Sequence, residues 1–282
     1  MLIILSLIWG TSFILIKQGL KVFAPDEVGA LRVSSAALLL MPMAFAKLKE
    51  LKSLHYGKLL LSGLLGIFIP AFLFALAQTR LDSSVTGIMN SLTPLFTMVI
   101  GALFYQQRFR GGSIIGIAIG MIGTVILSLS NSGGTMSGFN LYTLLIVTAC
   151  ICYGTNLNFI KFKIADLKAL TITSVSLLLV GPLAIAYLFL FTDFTTKVQT
   201  VEGGWKAFGF IVLLGFMSTS VATILFNKLV KIATPLFASS VTYLIPLVAV
   251  VWGVLDGEHL NTLHYVGMAA IIGGVYLANR KK

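Results

Sequence analysis

Charge is the scarcest property of this chain: only 10% of its 282 residues are Asp, Glu, Lys or Arg. A soluble domain carries about 25%, whereas 57% of this sequence is hydrophobic. So few charges cannot dress a surface for water, and the solvent for most of the chain is lipid. Acids are rarer still. The nine are Asp26, Glu27, Glu50, Asp82, Asp166, Asp193, Glu202, Asp256 and Glu258, each in a predicted loop or at the end of an apolar run. Proton relays across a bilayer normally use an intramembrane carboxylate or histidine. None is visible, because His55, His259 and His264 also fall at or near predicted loops. This favours facilitated diffusion or exchange over a strongly proton-coupled pump.

Other shortages exclude other classes. There is no H-E-x-x-H, no pair of intramembrane aspartates and no serine with a histidine at equal depth, so enzyme chemistry is not indicated. No Gly-rich phosphate loop is present, so ATP drive would need a separate subunit; neither cofactor nor metal is expected. Cysteine occurs only at Cys150 and Cys152. Two apart on one predicted helix, they point to different faces and cannot bridge each other. Both read as small packing residues.

What the chain has in abundance is long apolar runs. A bilayer core is roughly 30 Å thick and a helix rises about 1.5 Å per residue, so a span needs about 20 apolar residues. Ten runs qualify, at approximately 2–20, 28–46, 58–79, 83–105, 112–130, 140–160, 169–191, 206–228, 235–255 and 262–279. The first lacks a preceding basic stretch and an A-x-A-like cleavage site, so it reads as a retained span rather than a signal peptide.

The twenty Lys and Arg residues set the expected orientation. With the chain starting inside, six fall on the outer side: Lys17, Lys21, Arg32, Arg80, Lys197 and Lys206. The other fourteen fall on the cytoplasmic side. Basic residues concentrate there in membrane proteins, so both termini are expected to be cytoplasmic. The net charge of +11 is then a property of short loops beside spans, and no nucleic-acid partner is implied.

Two segments place a proline inside an apolar run: "NSLTPLFTMVIGAL" (Asn90–Leu103) and "TYLIPLVAVVWGVL" (Thr242–Leu255). At a fixed offset Pro94 matches Pro246 and Gly101 matches Gly253. "WGTSFILIK" (Trp9–Lys17) likewise lines up with "YGTNLNFIK" (Tyr153–Lys161), Gln78 with Asn227, and "IGIAIGMIGTVIL" with "VGMAAIIGGVYL". The order is the same in both halves, giving two five-helix repeats over 1–134 and 135–282. Because five is odd, the halves run in opposite directions through the membrane. Inverted repeats of this kind are a common transporter construction, with the substrate site near the midplane between them.

The paired "WGTSF…K" and "YGTNL…K" openings, the "SLTPLF" and "YLIPLV" prolines and the "GEHL" at Gly257–Leu260 resemble the EamA-type transporters of the drug/metabolite transporter superfamily. The resemblance covers essentially the whole chain. It implies an all-α integral membrane protein of ten transmembrane helices, in two inverted five-helix repeats around a central cavity. It also implies export or exchange of small metabolites, amino acids among them, in a bacterial inner membrane. One departure is that Tyr105-Gln106 stands where the second half has Gly257-Glu258.

Polar side chains inside spans face protein or a watery cavity. Trp9 and Ser12 are three apart and share a helix face, as do Tyr153 and Asn156 at matched positions. An aromatic and a small polar group from each half suit an amphipathic molecule; the alternative for Trp9 and Tyr153 is interfacial anchoring or packing. Pro94 removes the helical partner of the Asn90 carbonyl, and Pro246 that of Thr242. With Thr93 and Tyr243 these form either part of a pocket or a plain packing kink. Gln78 and Asn227 suit gates at the two mouths of a cavity or caps at helix ends. Asn158 lies off the Tyr153–Asn156 face. Lys17 and Lys161 are a matched pair near opposite surfaces, where snorkelling is the commoner role. Gly112, Gly116 and Gly120 permit close helix contact, within a monomer rather than between copies.

The functional expectation is a carrier working by alternating access on a small neutral or zwitterionic organic metabolite. Its partners are that small molecule and the lipid bilayer, with a monomer favoured. The apparent lack of buried charge argues against a multiply charged phosphate ester. The alternatives are an exchanger of anionic metabolites, of nucleotide-sugar or phosphate-ester type, and a non-transport receptor or assembly protein.

Overall fold

A computed structural model describes residues 1–107, 111–131, 141–258 and 260–279. The expected junction between the halves, at 134/135, lies outside the described residues. The described chain is all helix: α1 (Leu2–Gly19), α2 (Pro25–Leu48), α3 (Ser53–Ala77), α4 (Ser83–Tyr105), α5 (Gly111–Asn131) and α6 (Leu141–Lys163) come first. Then follow α7 (Ala169–Phe191), the short α8 (Phe194–Thr200), α9 (Gly204–Ile232), α10 (Pro235–Ser239), α11 (Ile245–Leu255) and α12 (Thr262–Asn279). Among the described residues, seven helices are long and apolar enough to cross a membrane: α1 to α4, α6, α7 and α9. The other three runs expected to span coincide with α5, the interrupted α10–α11 stretch and α12.

Local chemistry explains where helices begin. Pro25 opens α2, where its missing N–H is one the helix leaves unpaired anyway. The Glu27 carboxylate turns back to accept the Ala24 N–H at 2.7 Å and also takes Lys197 at 2.7 Å. Tyr187 O–H donates to Asp26 at 2.7 Å, so this end of α2 is tied to α7 and α8. At the start of α3, His55 Nδ1 accepts the Lys52 N–H at 3.0 Å while Nε2 meets Asp166 at 2.9 Å.

Among the described residues four spots depart from regular α-helix. A π-helical stretch runs through α3 at Leu64–Phe68 and through α9 at Gly215–Ala222. A 3₁₀ turn interrupts α4 at Asn90–Leu92, and another, Ser240–Tyr243, separates α10 from α11. Pro94 and Pro246 therefore do not kink continuous helices. Each stands in the first turn of the helical segment that restarts after the 3₁₀ turn. Nor are the two carbonyls left waiting for a ligand. The Thr93 N–H donates to the Asn90 carbonyl, and Ser91 Oγ donates to the Thr242 carbonyl at 2.9 Å. That second bond joins the two breaks to each other.

Packing follows a regular scheme: α1 lies against α9 and α11, α6 against α3 and α4, α2 against α7, and α5 against α12. Glycine makes the α5–α12 approach possible. A Cβ on Gly274 would fall 2.5 Å from both the Gly116 carbonyl oxygen and the Gly120 nitrogen. Large apolar side chains such as Phe104, Leu190, Phe191, Trp205 and Leu255 point outward and are exposed. In hydrocarbon this costs nothing, whereas in water it would.

Candidate functional site

One cavity is bordered by α1, α2, α3, α4, α6, α9 and the 3₁₀ turn at Thr242. Trp9 and Ser12 face it from α1, and Tyr153 and Asn156 face it from α6. Trp9 Nε1 donates to the Ser218 carbonyl at 3.2 Å, and its ring meets Phe226 edge-on with centroids 4.8 Å apart. Tyr153 stacks on Phe74 at 6.0 Å, and Phe13 closes on the same ring at 5.7 Å. The walls are thus aromatic, with polar atoms set between the rings.

Those polar atoms are partly committed. Ser12 Oγ donates to the Ile8 carbonyl at 2.9 Å, leaving only its lone pairs for a guest. Asn156 Oδ1 accepts Ser62 Oγ at 2.8 Å. Its amide nitrogen has no protein partner among the described residues, and it sits where a Cβ on Gly66 would lie 2.1 Å away. Glycine at 66 thereby leaves room for that amide. Asn90 and Thr93 line the cavity, with Thr93 Oγ1 donating to Asn90 Oδ1 at 3.3 Å. Thr242 and Asn227 border it too.

Asn227 is no helix cap: it lies within α9 and donates to Thr173 Oγ1 at 2.9 Å. Gln78 does not border this cavity. It follows the last residue of α3, donates to the Phe13 carbonyl at 2.9 Å and borders a separate depression with Lys17, Lys21 and Pro25. The side chain of Tyr243 lies outside the described ones. Asn158 is buried away from the cavity, its amide donating to the Thr97 and Gly154 carbonyls at 2.8 and 2.9 Å. Cys150 and Cys152 are buried and unbridged.

The residue that sequence reasoning misplaced is Arg32. Counted only as one of the outer-side charges, it lies inside α2, about 10 Å along from Pro25, and lines the cavity. Nε donates to Thr219 Oγ1 at 2.8 Å and Nη2 reaches Ser218 Oγ at 3.4 Å. Both hydroxyls come from the π-helical stretch of α9, which a hydropathy pattern does not reveal. Such stretches inside helices often mark functional sites. The other one, in α3, supplies Gly66 and Ile67 to the same cavity. Arg32 is thus a half-buried charge inside a span, against the expectation of few buried charges.

A second polar cluster lies at the last turn of α1. Lys17 Nζ pairs with Asp256 and Glu258, both at 2.8 Å. Glu258 also accepts the backbone N–H and hydroxyl of Ser83, at 3.0 and 2.6 Å, and those of Ser84, at 3.1 and 2.6 Å. Burial would raise the Glu258 carboxyl, but the hydrogen bonds from Lys17, Ser83 and Ser84 outweigh it and hold the group at about 2. Neighbouring Asp82 moves up, through burial and then the Glu258 charge. Snorkelling is therefore not the role of Lys17. Its matched residue Lys161 donates to the Lys231 and Ala233 carbonyls at 3.0 and 2.8 Å.

Among the described residues no group of His, Cys, Asp or Glu is arranged to hold a metal ion. The cavity offers aromatic faces, amide and hydroxyl groups and one guanidinium, which suits binding. Similarity to known proteins agrees with that chemistry: the EamA-like transporter family matches residues 1–129 and 140–280. The chain belongs to the EamA-like transporter family. An "Uncharacterized transporter" of Archaeoglobus fulgidus is 26% identical, over 97% of this chain and 95% of its own. The "Uncharacterized inner membrane transporter YedA" of Escherichia coli K12 is 26% identical, over 99% of this chain and 89% of its own. The "Probable amino-acid metabolite efflux pump" of the same strain is 25% identical, over 98% of this chain and 92% of its own. A solved crystal structure shares the fold, with a TM-score of 0.70 and 18% identity over 99% of this chain and 94% of that one. The EamA-like relatives are named as transporters, not as enzymes.

Proposed function

We propose that this EamA-like chain is a carrier that moves a small zwitterionic metabolite, an amino acid or a close relative, by alternating access. Its ten spans would be α1 to α7, α9, the α10–α11 stretch and α12, arranged as two inverted halves with both termini cytoplasmic. The carrying observation is the shared cavity: α1 brings Trp9 and Ser12 to it, and α6 brings Tyr153 and Asn156. The packing supports the inverted arrangement, since α1 lies on α9 and α11 as α6 lies on α3 and α4. The pairing of π-helical stretches in α3 and α9 has the same symmetry. Trp9, Tyr153, Asn156 and Asn227 contact the solute in this reading; Ser12, Asn90, Thr93, Thr242 and Tyr243 complete its surroundings. Gln78 belongs to the outer mouth, and the breaks before Pro94 and Pro246 are the hinges.

A multiply charged phosphate ester is disfavoured because Arg32 is the one cationic side chain bordering the cavity among the described residues. An amino-acid product also agrees with the name of the efflux-pump relative. The test is counterflow by purified protein in sealed liposomes. Vesicles are preloaded with a mixed amino-acid pool, and labelled members are added outside without a proton gradient. Saturable counterflow that falls at least about tenfold in Trp9→Ala and Asn156→Ala supports the reading, the size being that of one lost hydrogen-bonded or aromatic anchor. Parental rates with unchanged apparent affinity in both variants would falsify the site assignment.

A further inference from the structure

Arg32 is a cation within a membrane-embedded helix, and no carboxylate among the described residues neutralises it. All nine acids belong to the described residues, and none of them pairs with its guanidinium. Glu27 is bound to Lys197, Asp256 and Glu258 to Lys17, Glu50 to Lys47, and Asp166 to His55. The two contacts Arg32 does make are to hydroxyl oxygens, Thr219 Oγ1 at 2.8 Å and Ser218 Oγ at 3.4 Å. Neutral acceptors orient a guanidinium without cancelling its charge. Desolvated charges are normally paired because the penalty for leaving them unpaired is several kcal/mol. The nearest open space is the cavity that Arg32 itself lines.

We infer that Arg32 is the carboxylate-binding residue of the carrier, and that recognition runs through the carboxylate of the solute rather than through its ammonium group. This rests on the transporter reading above and makes a single carboxylate, rather than the zwitterion, the feature its substrate must have. The guanidinium fork matches a carboxylate in two parallel hydrogen bonds. Ser218 and Thr219 are positioning residues that hold the fork in place. No acid borders the cavity, so an ammonium has only the faces of Trp9, Phe74 and Tyr153 and neutral oxygens to meet. Such cation–π contacts contribute less than a charge-assisted pair. An aromatic or apolar monocarboxylate therefore fits, with or without an amino group.

The test uses the full-length purified protein and four probes: L-phenylalanine, phenylacetate, L-phenylalaninamide and phenethylamine. Ligand-induced thermal stabilisation in detergent reads binding, and counterflow in liposomes reads transport. The two carboxylates should bind about ten- to hundredfold more tightly than the amide and the amine, the range of one hydrogen-bonded charge pair. Arg32→Gln should erase that preference, and Arg32→Lys should keep its direction. Ser218→Ala with Thr219→Ala should weaken carboxylates alone. Should the Arg32 variants fold poorly, the four-probe ranking on the parent protein decides by itself. Equal binding of acid and amide, no binding of either carboxylate, or an unchanged preference in a folded Arg32→Gln would overturn the assignment. Carboxylate-selective binding without counterflow would uphold the Arg32 role and sink the transport reading instead.

Discussion

The two ends of the helix bundle carry matched lysines in unlike company. At one end Lys17 meets the carboxylates of Asp256 and Glu258, and Glu258 gathers four further hydrogen bonds from Ser83 and Ser84. The contacts join α1, the start of α4 and the segment after α11 into one clamp. At the other end, among the described residues, Lys161 donates to the carbonyls of Lys231 and Ala233 and meets no carboxylate. Both lysines make charge-assisted hydrogen bonds, but only Lys17 meets opposite charges, and one of these, Glu258, is almost wholly withdrawn from solvent. Water can replace the carbonyl contacts of Lys161 at modest cost. The difference teaches that the two ends are not energetically equivalent, although their helices follow one scheme. In the proposed carrier the Glu258 end is the firmer door and the Lys161 end the looser one.

The sharpest way to break this comparison is Glu258→Ala. It takes one of the two carboxylates from Lys17, strands two backbone N–H groups, and should lower stability by about 3 kcal/mol, as removal of one member of a buried pair does. Thermal unfolding measures it; a loss under about 1 kcal/mol would mean the clamp is incidental. Lys17→Met should cost less, about 2 kcal/mol, because the serines still satisfy much of Glu258. Lys161→Met should cost less again, about 1.5 kcal/mol, the low end for hydrogen bonds with one charged partner. If Lys161→Met proved as damaging as Lys17→Met, the asymmetry would be wrong.

The smallest expected effect is that of pH. Glu258 is held at about 2, below its ordinary carboxylate value, so its contribution is present above that ordinary value. It is lost only as pH falls toward about 2. The clamp should therefore be unchanged between about pH 5 and 8, measured as the difference in unfolding temperature between the parent protein and Glu258→Ala. A difference that shrinks across that window would place the controlling titration elsewhere.

Much of this was legible in the sequence, and for identifiable reasons. Lipid as solvent followed from the scarcity of charge, and the helix boundaries from loop clusters. The Trp9–Ser12 and Tyr153–Asn156 faces follow from helical spacing alone. The missing acid at Tyr105-Gln106 already marked the two ends as different, yet the partners of Glu258 are far away in the chain and no spacing rule reaches them. Arg32 was hidden by its position near the start of an apolar run, where one charge reads as a boundary. The π-helical stretches were hidden because a one-residue widening of a helix leaves no compositional trace. Pro94 and Pro246 read as bends in continuous helices; that each instead follows a 3₁₀ break, and that Ser91 bonds the Thr242 carbonyl, needed the two segments to be seen side by side.

The central claim is that one cavity opens alternately to the two sides of the membrane. It is tested most directly by Ser12→Cys in a background with Cys150 and Cys152 replaced, labelled in sealed vesicles by a membrane-impermeant maleimide added from either side. The account predicts labelling from both sides, with Glu258→Ala raising the rate from the side of the clamp and lowering it from the other. Labelling from one side only in both backgrounds, or a rise from both sides together as in an open pore, would contradict it.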